Sequence, residues 1–258
     1  MKVAAVQHDI VWEDRAATLE HLTPQVARAA ASGAQLVMLT EMFATGFSMR
    51  THLTAEPEDG PIVTWLHEQA AQHGVWITGS LALTAPADAA DQRPTNTLLL
   101  VGPDGTQHRY DKIHPFSYAG EHERLRAGDD ELIVELEGLR LGLSVCYDLR
   151  FAELYWGRAA RVDAELIVAN WPAPRRSHWR SLADARAIEN QTYVVAVNRV
   201  GRGGNKLDYV GDSRIVDPMG EVLASAAGIE TILTAELDAE VVASARERFP
   251  FQADRRRW

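Results

Sequence analysis

A chain of 258 residues with a single cysteine has room for a substantial core and excludes a disulfide scaffold. Its formal net charge of -10 argues against a general nucleic-acid surface, and no apolar run is long enough to span a bilayer. The first residues, Met1-Lys2-Val3-Ala4-Ala5-Val6, meet polar Gln7-His8 too soon for a signal-peptide core. With one thiol suited to a reducing compartment, the expectation is a soluble cytoplasmic protein.

A buried strand is predicted over 3–7 and a helix over 16–31, where Leu19, Leu22, Val26, Ala29 and Ala30 fall at helical spacing. Pro24 weakens that helix locally, and Ser32-Gly33 ends it. A second strand over 36–39 runs into Thr40-Glu41, and the two strands read as parallel neighbours. A helix over 62–72 and a strand over 75–81 follow, then an exposed loop over 85–92. Residues 95–101 form a strand that turns at Gly102-Pro103-Asp104-Gly105 into a hairpin partner over 106–110, delivering Lys112 just past its end. A strand over 132–136 turns at Gly138 into an alternating strand of Leu139, Leu141, Leu143 and Val145 that ends at Cys146. Beyond it come a helix over 152–161, a strand over 166–170, a helix over 179–190 and a strand over 194–198. A flexible loop over 201–205, a hairpin over 213–224, a strand over 231–237 and a short helix over 241–249 complete the chain. Strands and helices alternate without a linker or repeat, so a single mixed-sheet α/β domain with outer helices is predicted over 1–258.

Glu41, Lys112 and Cys146 share one structural place: each follows an apolar strand. In open α/β sheets ligands bind at the carboxyl ends of strands. A carboxylate, an ammonium and a thiol gathered there would form a nucleophilic site. The carboxylate takes the thiol proton, and the ammonium holds an oxyanion and favours the thiolate, as would a helix start near Asp148. Two other readings stand beside it: a lone cysteine as a small buried hydrophobe, and a cysteine–histidine hydrolase using one of nine histidines. His178 reads as surface or loop. Glu121-His122-Glu123 lacks the further His or Cys of a metal site and reads as an acidic loop. Gly201-Arg202-Gly203-Gly204 lacks the lysine of a phosphate loop.

Six ordered blocks resemble the nitrilase superfamily of carbon–nitrogen hydrolases. They are Leu39-Thr40-Glu41-Met42-Phe43, Tyr110-Asp111-Lys112-Ile113-His114, Cys146-Tyr147-Asp148-Leu149-Arg150-Phe151, Ala169-Asn170-Trp171-Pro172, Ala185-Arg186-Ala187-Ile188-Glu189-Asn190 and Asn198-Arg199-Val200-Gly201. Within that superfamily the chain is similar to the omega-amidase branch, through Ala44-Thr45-Gly46-Phe47, Pro172-Ala173-Pro174-Arg175 and Tyr209-Val210-Gly211-Asp212-Ser213. One departure is Thr40, where many relatives have proline before the glutamate; no reactive group is lost by it.

The resemblance implies a four-layer αββα sandwich. It implies Cys146 as nucleophile, Glu41 as general base and then acid, Lys112 with the Tyr147 backbone N–H as oxyanion donors, and Glu121 as a second glutamate, with Glu123 the alternative. It implies a small-molecule amide substrate, 2-oxoglutaramate or 2-oxosuccinamate, whose free carboxylate suits a guanidinium. Arg175 is the candidate for that carboxylate, with Arg176 beside it. Phe43 and Trp171 read equally as pocket walls or as ordinary core. Neither a metal nor another cofactor is expected, and neither a nucleic acid nor a membrane is a partner. A homodimer is expected, through the apolar faces over 151–156 and 179–188, with the tail over 249–258 reaching the partner. Arg255-Arg256-Arg257 reads as a solvated or subunit-contact terminus. The rival readings are an N-carbamoyl compound, another amide or a nitrile as substrate, or a non-catalytic scaffold that keeps the fold.

Overall fold

Period-2 and period-3.6 stretches alternate along the chain, and the elements follow them. A computed structural model describes residues 1–256; Arg257 and Trp258, the end of the predicted tail, lie outside the described residues. The first half holds β1 (Lys2–Gln7), α1 (Arg15–Ala31), β2 (Leu36–Met38), α2 (Thr51–Thr54), α3 (Pro61–His73), β3 (Trp76–Leu83), β4 (Thr95–Val101) and β5 (Gln107–Asp111). The second holds α4 (Glu121–Arg124), β6 (Ile133–Leu136), β7 (Leu139–Val145), α5 (Ala152–Arg158), β8 (Ala164–Ala169), α6 (Arg176–Asn190) and β9 (Tyr193–Asn198), then β10 (Val200–Arg202), β11 (Asp208–Val216), β12 (Val222–Ala227), β13 (Thr231–Glu236) and α7 (Ala239–Arg248).

One sheet has six strands in the order β13-β1-β2-β3-β4-β5, and the other has seven, β10-β11-β9-β8-β7-β6 with β12 on β11. β1, β2 and β3 are parallel, as are β7, β8 and β9, and the outer strands are antiparallel. Alternation decides which side each residue faces. Val3, Leu36, Met38, Leu98 and Leu100 of the first sheet pack against Leu141, Leu143, Val145, Leu166, Val168 and Val195 of the second. Their neighbours Val37, Leu39, Ile77 and Leu99 face Leu22 and Val26 of α1 and Ile62 and Leu66 of α3. On the far side, Ile167, Ala169, Val194 and Ala196 face Tyr155 of α5 and Trp179, Ala183 and Ala187 of α6. The layers are therefore helix, sheet, sheet, helix, the predicted αββα sandwich.

Pro24 does not break α1, whose buried stripe of Leu19, Leu22, Gln25, Val26 and Ala29 runs across it. Packing of that face outweighs the one backbone hydrogen bond a proline removes. The loop predicted over 201–205 holds for Gly203-Gly204-Asn205, which lie in the turn of a hairpin, whereas Gly201 and Arg202 belong to β10, which pairs antiparallel with β11, Gly201 facing Tyr209. The apolar pattern is too short there to read as a strand, and the pairing comes from β11.

Candidate active site

The site lies where the two sheets meet at the carboxyl ends of β2, β7 and β8. Glu41 follows β2 and is fully buried, as are Lys112 after β5 and Glu121 at the start of α4. Lys112 Nζ donates to Glu41 Oε1 at 2.9 Å and to Glu121 Oε1 and Oε2 at 3.1 and 2.9 Å. Glu41 is tied to both sheets. Asn96 Nδ2 of β4 donates to its Oε1 at 2.9 Å, and the Asn170 backbone N–H after β8 donates to its Oε2 at 2.8 Å. The Asn170 side-chain amide also donates to the Glu41 carbonyl. Glu121 is held by the Phe116 backbone N–H and by Asn96 Nδ2, the latter at 3.1 Å. Glu123, the alternative, is exposed.

Cys146 closes β7 with a φ of 47°, a left-handed conformation that few side chains adopt. Asp148 holds this elbow. Its fully buried carboxylate accepts from the Val145 backbone N–H at 2.9 Å and the Tyr110 hydroxyl at 2.8 Å. It also accepts from the His114 backbone N–H at 2.9 Å and lies 2.8 Å from His114 Nδ1. One carboxylate thus joins the Cys146 turn to the segment that carries Lys112. Behind that lysine, Gly128 donates its N–H to the Lys112 carbonyl at 2.9 Å. A Cβ on Gly128 would stand 2.2 Å from the Asp111 carbonyl oxygen, so only glycine fits this approach.

The Cys146 thiol pKa is pushed well above the ordinary range, first by burial and then by the Glu41 charge, with Lys112 opposing. Burial and Glu41 thus favour the thiol form, against the pull toward the thiolate that the sequence assigns to Lys112 and to a helix start near Asp148. The turn after β7 is a 3-10 segment over Cys146–Arg150, too short to carry much of a dipole, and two carboxylates face the sulfur against one ammonium. Burial alone would lower the Lys112 pKa, but the two carboxylates outweigh it and hold the ammonium charged. Glu121 is raised by burial and by Glu41, with Lys112 opposing.

A cavity of about 490 Å³, its open mouth included, is lined by Glu41, Cys146, Tyr147, Asn170, Trp171 and Arg175. Its wall continues with Phe47, Phe116, Arg150, Leu207 and Tyr209. Lys112 Nζ sits 5.2 Å from the Phe47 ring centre. Trp171 both lines the cavity and packs in the outer core. Phe43 is not a pocket wall: it is fully buried between the first sheet and its helices, 5.9 Å from the Trp65 ring. A residue two past a strand end can face either way, and the turn after Glu41 (Met42 φ 43°) sends Phe43 outward to the helices. Arg176 is committed elsewhere, in a two-pronged pair with Asp212 at 2.8 and 2.9 Å. Arg175 stacks over Phe116 at 5.4 Å and has no carboxylate partner among the described residues. His178 is exposed, 3.3 Å from Arg150 Nη2. Asn96, Ser80 and Phe47 were not singled out as site residues in the sequence; the available signal was a polar Asn and Ser on strands that are almost entirely buried.

This fold and this arrangement of groups define a hydrolase of carbon–nitrogen bonds, and the chain belongs to the carbon-nitrogen hydrolase family, whose model matches residues 2–247. It is 42% identical over 256 residues to Omega-amidase YafV of Escherichia coli (strain K12), a match covering 98% of this chain and 96% of that one. It is 37% identical over 270 residues to 2-oxoglutaramate amidase of Paenarthrobacter nicotinovorans, covering 99% and 90%. Among solved structures, XC1258 from Xanthomonas campestris superposes with a TM-score of 0.93 at 38% identity, covering 100% and 98%. That protein is described as a CN-hydrolase superfamily member with an arsenic adduct in the active site.

Proposed function

We propose that the protein is an omega-amidase, hydrolysing the distal amide of 2-oxoglutaramate or 2-oxosuccinamate to the 2-oxo diacid and ammonia. The observation that carries this reading is Lys112 within 3.1 Å of both Glu41 and Glu121, beside the Cys146 thiol in a cavity that also holds Arg175. The names of the relatives support the substrate class.

Glu41 takes the thiol proton as the sulfur attacks the amide carbon. The carbonyl oxygen becomes an oxyanion, held by Lys112 Nζ and the Tyr147 backbone N–H, each preorganised donor worth ~3 kcal/mol. An ammonium has three N–H groups; Glu41 takes one, and a second shared by the two Glu121 oxygens leaves the third for the oxyanion. Protonated Glu41 passes its proton to the leaving nitrogen, the C–N bond breaks, and ammonia departs from a thioester. Water then attacks the thioester as Glu41 takes its proton, and the sulfur leaves to recover one. Glu121 keeps Lys112 in place throughout. Arg175 receives the substrate carboxylate with two parallel N–H donors. No cofactor enters these steps.

The same proposal includes a cytoplasmic homodimer that pairs through α5 and α6. Trp156 and Ile188 on these helices are 46% and 50% exposed, and Arg255 from the tail stacks 4.6 Å over Trp156. Light scattering that finds only monomer in dilute solution refutes the pairing.

Ammonia release from 2-oxoglutaramate, an N-carbamoyl compound and a nitrile tests the activity in the wild type and in Cys146→Ala. The expected result is turnover of the 2-oxo acid amide by the wild type alone. Equal release by both proteins rejects the mechanism, and preference for the nitrile or the carbamoyl compound rejects the substrate. Arg175→Ala is expected to raise KM for 2-oxoglutaramate about tenfold or more, the worth of one charge-assisted pair.

A further inference from the structure

We propose that Asn96, oriented by Ser80, is the positioning residue that holds the two glutamates of the site in register and keeps the Glu41 carboxylate in its ionised, proton-accepting form. This rests on the hydrolytic reading above. Asn96 is buried on the inner face of β4, and its Nδ2 reaches both carboxylates, at 2.9 Å to Glu41 and 3.1 Å to Glu121. Ser80 of β3 pairs in register with Leu98, two residues from Asn96, so both side chains stand on one face.

The direction of the amide is determined by a chain of donors. The Met42 backbone N–H donates to Ser80 Oγ at 2.9 Å, so the hydroxyl proton is left to donate to Asn96 Oδ1 at 2.8 Å. With Oδ1 occupied, the NH2 group points at the carboxylates. The same serine thereby fixes the backbone immediately after Glu41. The Lys112 backbone N–H also donates to the Asn96 carbonyl at 2.9 Å, so one residue touches all three charged groups' supports.

The choice of an amide has an electrostatic consequence. Glu41 and Glu121 face one cation, Lys112, and one half-buried thiol, with Tyr209 the other titratable group nearby. A second cation at position 96 would neutralise the excess carboxylate that accepts the thiol proton. Asn96 instead binds both carboxylates through a dipole, holding them without removing the base. Donors to an ionised carboxylate favour its charged form, so losing them raises its apparent pKa.

The test uses Asn96→Ala and Ser80→Ala in the full chain. Two readouts are taken against pH: kcat and KM on 2-oxoglutaramate, and the rate of Cys146 alkylation by iodoacetamide, which needs no amide substrate. Asn96→Ala is expected to lower kcat about 10- to 100-fold with KM within about threefold, since each bond to a charged group is worth a factor of ten or more. The acidic limb of both profiles moves up by ~1 pH unit. Ser80→Ala moves both in the same direction by less, because the amide is still present but free to turn. Unchanged acidic limbs in both variants, or a loss confined to KM or to the folded fraction, overturn the proposal. If Asn96→Ala does not fold, Ser80→Ala decides by the same limbs. If the wild type fails to hydrolyse 2-oxoglutaramate, the omega-amidase reading falls, while the alkylation profiles still decide the role of Asn96.

Discussion

Asp148→Asn removes a charge from the carboxylate that joins the Cys146 elbow to the Lys112 segment while changing almost no volume. Four contacts within 2.9 Å depend on it: the Val145 and His114 backbone N–H groups, the Tyr110 hydroxyl and His114 Nδ1. An amide offers one carbonyl oxygen and one NH2, so only one side of the network is kept. If the NH2 turns toward Tyr110 and Val145, the phenol can reverse and accept, but the Val145 N–H then meets another N–H. If it turns toward His114, the backbone N–H there is stranded instead. Either way at least one bond to a charged, fully buried acceptor becomes a donor–donor clash, and bonds of this kind are worth ~1.5–3 kcal/mol each. Adding the weakening of the remaining neutral bonds gives a loss of about 3 kcal/mol. For a chain of this size that lowers Tm by about 6–12 °C. The left-handed φ at Cys146 is retained only while its surroundings hold it, so kcat falls with KM little changed. Differential scanning calorimetry and steady-state kinetics on the same preparation, with the active fraction titrated at Cys146, check both. A Tm within ~2 °C of wild type together with an unchanged kcat would refute the argument.

Acid stability carries a contribution from His8. Burial depresses its folded pKa from 6.5 to about 4, against two backbone carbonyls that oppose the shift. The unfolded chain takes up the proton first, so stability is full above about pH 6.5 and drains by ~3 kcal/mol as pH falls to about 4. Urea titrations across that range should show a shallower slope in His8→Gln; an identical slope would remove His8 from the account. Phe43→Ala should destabilise the fold by ~3–5 kcal/mol and leave KM alone, whereas Phe47→Ala should alter kcat/KM with a smaller loss of stability. The reverse pattern would return Phe43 to the cavity wall. Gly128→Ala drives a methyl against backbone 2.2 Å away and should cost about 1–3 kcal/mol while shifting the loop that supports Lys112. A wild-type Tm and kcat would show that the segment can give way.

Much of the sandwich was readable because its signals are local. Runs such as Leu98-Leu99-Leu100 and Val194-Val195-Ala196-Val197 mark strands buried on both faces, as both are. Glu41 and Cys146 stood out because each interrupts such a run at its carboxyl end, and Lys112 because it directly follows the hairpin strand β5, which is itself polar. Asn96 did not, since a polar residue between two threonines at the start of a strand carries no mark of what it meets 55 positions away. Phe43 and Phe47 show the same limit within four residues. Their facing depends on two backbone angles at the turn after Glu41, and composition does not encode those.

The linear chain, then, determined the order of strands and helices, the apolar faces that make four layers, and which residues are candidates for the reactive groups. Those follow from periodicity and from side-chain chemistry, which are properties of short stretches. Only the folded chain decided that Lys112 bridges Glu41 and Glu121, that burial and Glu41 push the Cys146 thiol pKa up, that Arg176 is paired with Asp212 while Arg175 lines the cavity, and that Asp148 couples the Cys146 turn to the Lys112 segment. Each of these depends on burial and on distances of about 3 Å between residues remote in sequence, and such distances exist only once two sheets have closed on each other.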